Sequence, residues 1–257
     1  MTETDTRTPS ITVVDDAPRV STGALRTETD GRPPGWLQEA LPGRGITAAI
    51  NRLWNITLEG LDNVPTDGPV IVCPNHLAFI DSPFMMSQVP RRLLAIGKGE
   101  YMDDWHTRLL FPAFGMVPIN RSGGTAAART LDKAVELITS GEALLIYPEG
   151  TRSRDGSLHR GRTGAVRMAL AAGCPIVPVG LVGTDLIQPI DVFMPNFRLD
   201  ATIRFGRPLD IPRLAKGRDD RRTLRALTDE LMFEICELSG QLYADSYGDE
   251  IPKPGAA

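Results

Sequence analysis

Between residues 70 and 205 of this chain, short β-rich runs alternate with stretches of helical periodicity, and that order restricts the possible folds more than any other feature. The runs are VIVC at 70–73, LLAI at 93–96, MVPI at 116–119, ALLIY at 143–147, IVPVGL at 176–181 and ATIRF at 201–205. Helix candidates lie near 83–89, 101–113, 124–140 and 162–173. Strand and helix in alternation predict an α/β fold with a mixed, largely parallel sheet covered by helices. A last helix is expected in DDRRTLRALTDELMFEICELSGQLY, where Leu224, Leu227, Leu231 and Ile235 form one apolar stripe. The uncharged stretch Met168–Thr184 contains Pro175, Pro178 and three glycines, so it reads as a helix end, a turn and a buried strand rather than a membrane span.

Ahead of this region, residues 1–34 lack either periodicity and are expected to form a disordered tail. Trp36, Leu37, Ala40 and Leu41, then Ile46, Ala49, Ile50, Leu53 and Trp54, recur at helical spacing on either side of Pro42 and Gly43. Residues 35–57 are therefore expected to be an amphipathic helical segment, packed on the core or serving as a membrane foot. The main domain is expected over 58–245, with 246–257 a flexible tail. The net charge of -4 gives no global attraction to nucleic acid or to an anionic bilayer, so any anion site must be local. Cys73, Cys174 and Cys236 are far apart and form no CxxC pair, which argues against a zinc ribbon or a disulfide framework. The N-terminus lacks the pattern of a secretory signal, and no HExxH or paired-carboxylate pattern points to a metal.

One of three histidines, His76, follows the first strand and stands five residues before Asp81. In a continuous helix that spacing turns the two about 140° apart, and in a strand it sends them to opposite faces. The strand should end at Cys73-Pro74, with a helix beginning at Ser82 as N-cap and Pro83 in its first position. Residues 76–81 would then form a curled loop able to bring the pair together. A carboxylate on one ring nitrogen fixes the histidine tautomer and leaves the other free to accept a proton. Cys73 is better read as a small core residue than as a nucleophile, and Met85-Met86 as helix core. His106 and His159 lack an evident partner and are expected to be solvated or capping residues.

Four blocks occur in order: NHLAFIDS at 75–82, GMVPINR at 115–121, LLIYPEGTRSR at 144–154 and CPIVPVGL at 174–181. Together they resemble the motif blocks of the glycerolipid acyltransferases, which include the 1-acyl-sn-glycerol-3-phosphate (lysophosphatidate) acyltransferases. The resemblance covers residues 58–207. It departs at Ala78, where relatives often have serine, and at Gly97-Lys98-Gly99-Glu100, where they often have a lysine-rich KKE. It implies that His76 is a general base and Asp81 its orienting partner. The hydroxyl of an acceptor would attack an acyl thioester, on coenzyme A or acyl carrier protein, with no covalent acyl-enzyme and no cofactor. The implied acceptor is lysophosphatidate; glycerol 3-phosphate, another lysophospholipid, a lyso-ornithine lipid or a glycolipid are alternatives, as is a noncatalytic lipid-binding role.

A phosphate on the acceptor calls for arginine forks, to which Arg121, Arg152 and Arg154 are suited. From Tyr147 to Arg167, five arginines face only Glu149 and Asp155, a local excess of positive charge in a negative chain. Glu149 would bind acceptor hydroxyls or brace the loop, Gly150 would permit close backbone approach, and Thr151 belongs to the same binding loop. Lys98 and backbone N–H groups around Glu149-Gly150 are candidates to hold the oxyanion. A lipid acceptor implies a peripheral enzyme on the cytoplasmic face of the cell membrane, with the membrane surface and lysophospholipid as partners and no nucleic acid.

Overall fold

A computed structural model describes residues 44–98, 116–119 and 126–250 of the chain. The expected tail at 1–34, the first part of the amphipathic segment (35–43), the helix candidate at 101–113, His106 and Arg121 lie outside these residues. In chain order the elements are α1 (Arg44–Leu53), β1 (Asn55–Glu59), β2 (Val70–Pro74), α2 (Asp81–Gln88), β3 (Leu93–Lys98), β4 (Met116–Ile119), α3 (Ala126–Thr139) and β5 (Ala143–Leu145). They continue with β6 (Leu158–His159), α4 (Gly164–Ala172), β7 (Ile176–Val182), α5 (Thr184–Ile187), β8 (Asp200–Phe205), α6 (Ile211–Ala215), α7 (Arg221–Ser239) and β9 (Tyr243–Ala244).

Seven strands form one sheet in the order β1-β8-β7-β2-β5-β3-β4, and β6 pairs with β9 separately. Every neighbouring pair in the large sheet is parallel except β7 with β8. This is the mixed, largely parallel sheet expected from the alternation of runs. β1 escaped the sequence reading because NITLE is an edge strand with its residues exposed or half-buried, so no apolar run marks it.

The sheet buries both faces. On one side, Val70 and Val72 of β2 pack with Phe84, Met85 and Met86 of α2 and with Trp54. On the other, Ile71 and Cys73 pack with α3, α4, α6 and α7 through residues such as Leu137, Val166, Ile211 and Leu231. Successive residues of a strand point to opposite faces, so the continuous apolar run VIVC supplies both cores at once. The stripe Leu227, Leu231 and Ile235 is buried as its spacing requires. Asp220 caps α7 by accepting from the N–H groups of Arg222 and Thr223, and Gly240 closes it in the left-handed region. Gly173 ends α4 in the same way, giving the helix end, turn and strand expected over 168–184.

Of the two roles open to the amphipathic segment, Trp54 takes the packed one: its ring lies 5.4 Å from Phe84 and 5.5 Å from Phe197, and its indole N–H donates to the Asn196 carbonyl at 2.7 Å. Two expectations are corrected. α2 begins at Asp81, with Ile80 at the N-cap position, because the Ser82 hydroxyl engages Tyr147 rather than the helix end. Residues 246–250, placed in a flexible tail, are held against the domain: the Ser246 carbonyl accepts from Arg160 N–H at 2.9 Å, and Asp249 takes both carboxylate oxygens to Arg162 at 2.7 Å.

Candidate active site

β2 runs through the centre of the sheet between β7 and β5, entirely buried. The carboxyl ends of parallel strands are where such sheets place their ligands. β2 ends at Pro74, paired with Val179. Past that point the ladder is continued by a side chain. Asn75 Nδ2 donates to the Leu181 carbonyl at 2.9 Å, and Asn75 Oδ1 accepts from Leu181 N–H at 2.6 Å. A second Nδ2 bond goes to Gln241 Oε1 at 2.7 Å. The position of His76 is thus set by the residue before it, fixed to the neighbouring strand.

His76 and Asp81 meet. His76 Nδ1 lies 2.8 Å from Asp81 Oδ2, and the same oxygen accepts from the N–H groups of Leu77 at 2.7 Å and Ala78 at 2.8 Å. Asp81 is fully buried at the first turn of α2, where the helix dipole favours a negative charge. A carboxylate only accepts, so the proton of neutral His76 sits on Nδ1 and the lone pair is on Nε2. The imidazole retains 17% side-chain exposure, enough for a bound group to reach it. Its ring stacks on Tyr147 with centroids 3.7 Å apart and planes 15° from parallel. Burial, and secondarily the charge of Asp81, raise the Tyr147 phenol well above its ordinary range, so it is a neutral wall. Ala78 is itself buried in the apolar cluster, its N–H serving Asp81.

The loop after β5 grips the backbone of His76. Glu149 Oε1 accepts from His76 N–H at 3.0 Å, Glu149 Oε2 accepts from His159 N–H at 3.0 Å, and Ser153 N–H donates to the His76 carbonyl at 2.7 Å. Glu149 is only 1% exposed. Of the two roles open to it from sequence, the geometry gives it that of a brace. Burial pushes its carboxyl up to about 7, against the two N–H donors that pull it down. Gly150 has φ of 76°, and a Cβ there would come within 3.3 Å of the Arg162 side chain. Its N–H is spent on the Tyr147 carbonyl at 3.1 Å, which removes it from the candidate oxyanion donors.

The basic cluster is smaller than its sequence suggested. Arg154 pairs with Asp191 at 3.3 Å, Arg160 with Asp245 at 3.5 Å and Arg162 with Asp249 at 2.7 Å. These aspartates lie far along the chain, so counting charge in one segment missed them. Arg152 is half-buried and makes no ion pair among the described residues; Thr151, beside it, packs near Gly248. Lys98 closes β3 in register with Ile119 of β4. His159, expected to be solvated or capping, is instead 1% exposed with Nε2 3.0 Å from Asp155. Cys73 points into the opposite core, and burial raises its thiol far above the usual range, which excludes a thiolate nucleophile. Sequence reasoning missed Asn75, Tyr147 and Gln241. The first two lie inside recognised blocks; nothing in the sequence marks the third.

The sequence pattern of the acyltransferase family matches residues 55–182. A chloroplastic 1-acyl-sn-glycerol-3-phosphate acyltransferase of Arabidopsis thaliana is 31% identical over 149 residues, covering 55% of this chain and 40% of that protein. The same-named protein of Limnanthes douglasii is 36% identical over 149 residues, covering 57% and 52%. The alpha form from Homo sapiens is 32% identical over 133 residues, covering 51% and 47%. The matched region thus spans about half the length of these curated relatives. The crystal structure of the 1-acyl-sn-glycerophosphate (LPA) acyltransferase of Thermotoga maritima matches with a TM-score of 0.60 and 24% identity over 79% of each chain, which shows a shared fold. With that pattern, these relatives and the shared fold, the chain belongs to the acyltransferase family and resembles the 1-acyl-sn-glycerol-3-phosphate acyltransferases.

Proposed function

We propose that this chain transfers a fatty acyl group from an acyl thioester, on coenzyme A or acyl carrier protein, to the free hydroxyl of lysophosphatidate, forming phosphatidate. The observation that carries the reading is the 2.8 Å contact of His76 Nδ1 with buried Asp81, which leaves Nε2 as base. Nε2 takes the hydroxyl proton as the oxygen attacks the thioester carbonyl. The new C–O bond forms, the C–S bond breaks, and the imidazolium returns the proton to the departing thiolate. Asp81 steadies the imidazolium meanwhile. Arg152, unpaired among the described residues, is suited to the acceptor phosphate, with Arg121 as a second candidate. Lys98 is a candidate donor to the oxyanion.

The acceptor's chain argues for work at a membrane. Exposing about 15 methylenes to water costs on the order of 12 kcal/mol at roughly 0.8 kcal/mol each. Among the described residues no helix is long and apolar enough to cross a membrane. A peripheral position on the cytoplasmic face accommodates both facts.

The test incubates the purified full chain with a panel of acyl thioesters and lysolipids, measuring free thiol and the product mass. Lysophosphatidate is expected to give phosphatidate with stoichiometric thiol. Turnover confined to glycerol 3-phosphate, another lysophospholipid, a lyso-ornithine lipid or a glycolipid would correct the acceptor, and no thiol release with any pair would refute the chemistry. His76→Ala is expected to lower the rate by about 10²- to 10⁴-fold while the circular dichroism melt is preserved.

A further inference from the structure

The segment from α5 to the start of β8 carries large apolar side chains outward. Phe193 is 92% exposed and Leu186 and Met194 are 66% exposed each, with Val192, Phe197 and Leu199 also exposed. So many in 14 residues exceed the scattered exposure of an ordinary surface. Hydrogen bonds within the protein tie down the backbone beneath them at several points. Gln188 Nε2 donates to the carbonyls of Val192 at 3.3 Å and Phe193 at 3.0 Å, and Val192 N–H donates to Pro189. Asn196 N–H donates to Ile187 at 2.7 Å, and its side-chain amide to Leu186 at 2.9 Å. The Trp54 indole takes the Asn196 carbonyl, and Arg198 N–H donates to Leu53. Apolar side chains outside and these backbone hydrogen bonds inside suit a loop that enters a lipid interface, where an unsatisfied backbone group costs several kcal/mol.

Position adds a second argument. The loop leaves the carboxyl end of β7 at Val182 and re-enters the sheet at Asp200, the end at which Asn75 grips Leu181. Arg154, of the loop that braces His76, pairs with Asp191 at 3.3 Å. We propose that residues 186–199 dock the reaction end of the enzyme on a phospholipid bilayer by inserting apolar side chains. The inference deepens the reading of a lipid acceptor above and rests on it. Between 184 and 200 the chain has Asp185, Asp191 and Asp200 against Arg198 alone. Attraction to anionic headgroups is therefore not the driving force, and binding should be insensitive to salt.

The experiment is flotation of the full chain with neutral phosphatidylcholine vesicles, in low and high salt, for the wild type and for a double variant with Phe193→Ser and Met194→Ser. The wild type is expected to float equally in both salts and the variant to lose about tenfold to a hundredfold in vesicle affinity. The variant should keep thiol release with a monomerically dispersed short-chain lysophosphatidate. A variant that floats like the wild type overturns the proposal and moves binding elsewhere, residues 35–57 included. Flotation only with anionic vesicles, reversed by salt, overturns it too. So does a variant that loses self-association in light scattering but keeps vesicle binding, since the loop would then meet a second copy of the chain. Absence of acyl transfer in every protein, with the flotation difference intact, would refute the proposed reaction and leave the docking surface standing.

Discussion

His76 is held at four points: its ring by Asp81 and Tyr147, its N–H by Glu149 and its carbonyl by Ser153. Glu149 is the member of that set with a stored cost. The unfolded chain releases its proton near the ordinary 4.5, whereas the native state keeps it to about 7. Between those values the native state binds more protons, so stability falls as pH rises through the window and levels off above it. The full difference corresponds to about 3 kcal/mol. Denaturant titrations of wild type and Glu149→Gln from about pH 5 to 8 should show the fall in the wild type and a flatter profile in the variant. A stability gap between the two that stays constant with pH would show that Glu149 is already ionised at the bottom of the window.

At the scale of elements, β7 packs tightly against the end of α7. A Cβ at Gly180 would lie 2.4 Å from the Leu238 carbonyl carbon and 2.6 Å from Ser239 N, both backbone atoms that a rotamer change cannot move. Gly180→Ala should cost about 1–3 kcal/mol or more and lower the calorimetric midpoint by roughly 5 °C or more. An unchanged midpoint would mean that α7 slides freely on the sheet. The elements themselves were largely legible, since aliphatic runs, the capping aspartate before α7 and the closing glycines are local signals. β1 was not, because an edge strand lacks an apolar run. The curl that joins His76 to Asp81 was readable from Pro74 and the start of the next helix, although Ser82 serves Tyr147 instead of capping. What sequence distance concealed were the partners of the loop arginines and the grip of Asn75 on Leu181, contacts between residues brought together only by the sheet.

Taken as a whole, the molecule brings the segment after its last long helix back to the site. Gln241, just past α7, accepts from Asn75 and donates through Nε2 to the Gly156 carbonyl at 2.8 Å, joining the residue before His76 to the loop that follows Arg154. It touches no reacting atom in the proposed scheme, so it is a positioning residue. Gln241→Leu should reduce kcat about tenfold with KM little changed, as expected for about 1–2 kcal/mol of lost hydrogen bonding. Gln241→Glu, which keeps the acceptor for Asn75, should recover part of the loss. Equal kcat values for the two variants, in steady-state thiol release, would remove Asn75 from the account.

The reversal of direction between β7 and β8 has a consequence for anyone who wishes to move this chemistry. The edge strand β1 has β8 as its neighbour, and β7 rests its glycine on α7, yet both partners lie beyond residue 182, where the family pattern stops. A fragment cut to the matched residues would carry the reactive groups and strand them without walls. Hybrids between relatives should therefore exchange individual loops inside an intact scaffold, not transplant the signature-bearing stretch as a cassette.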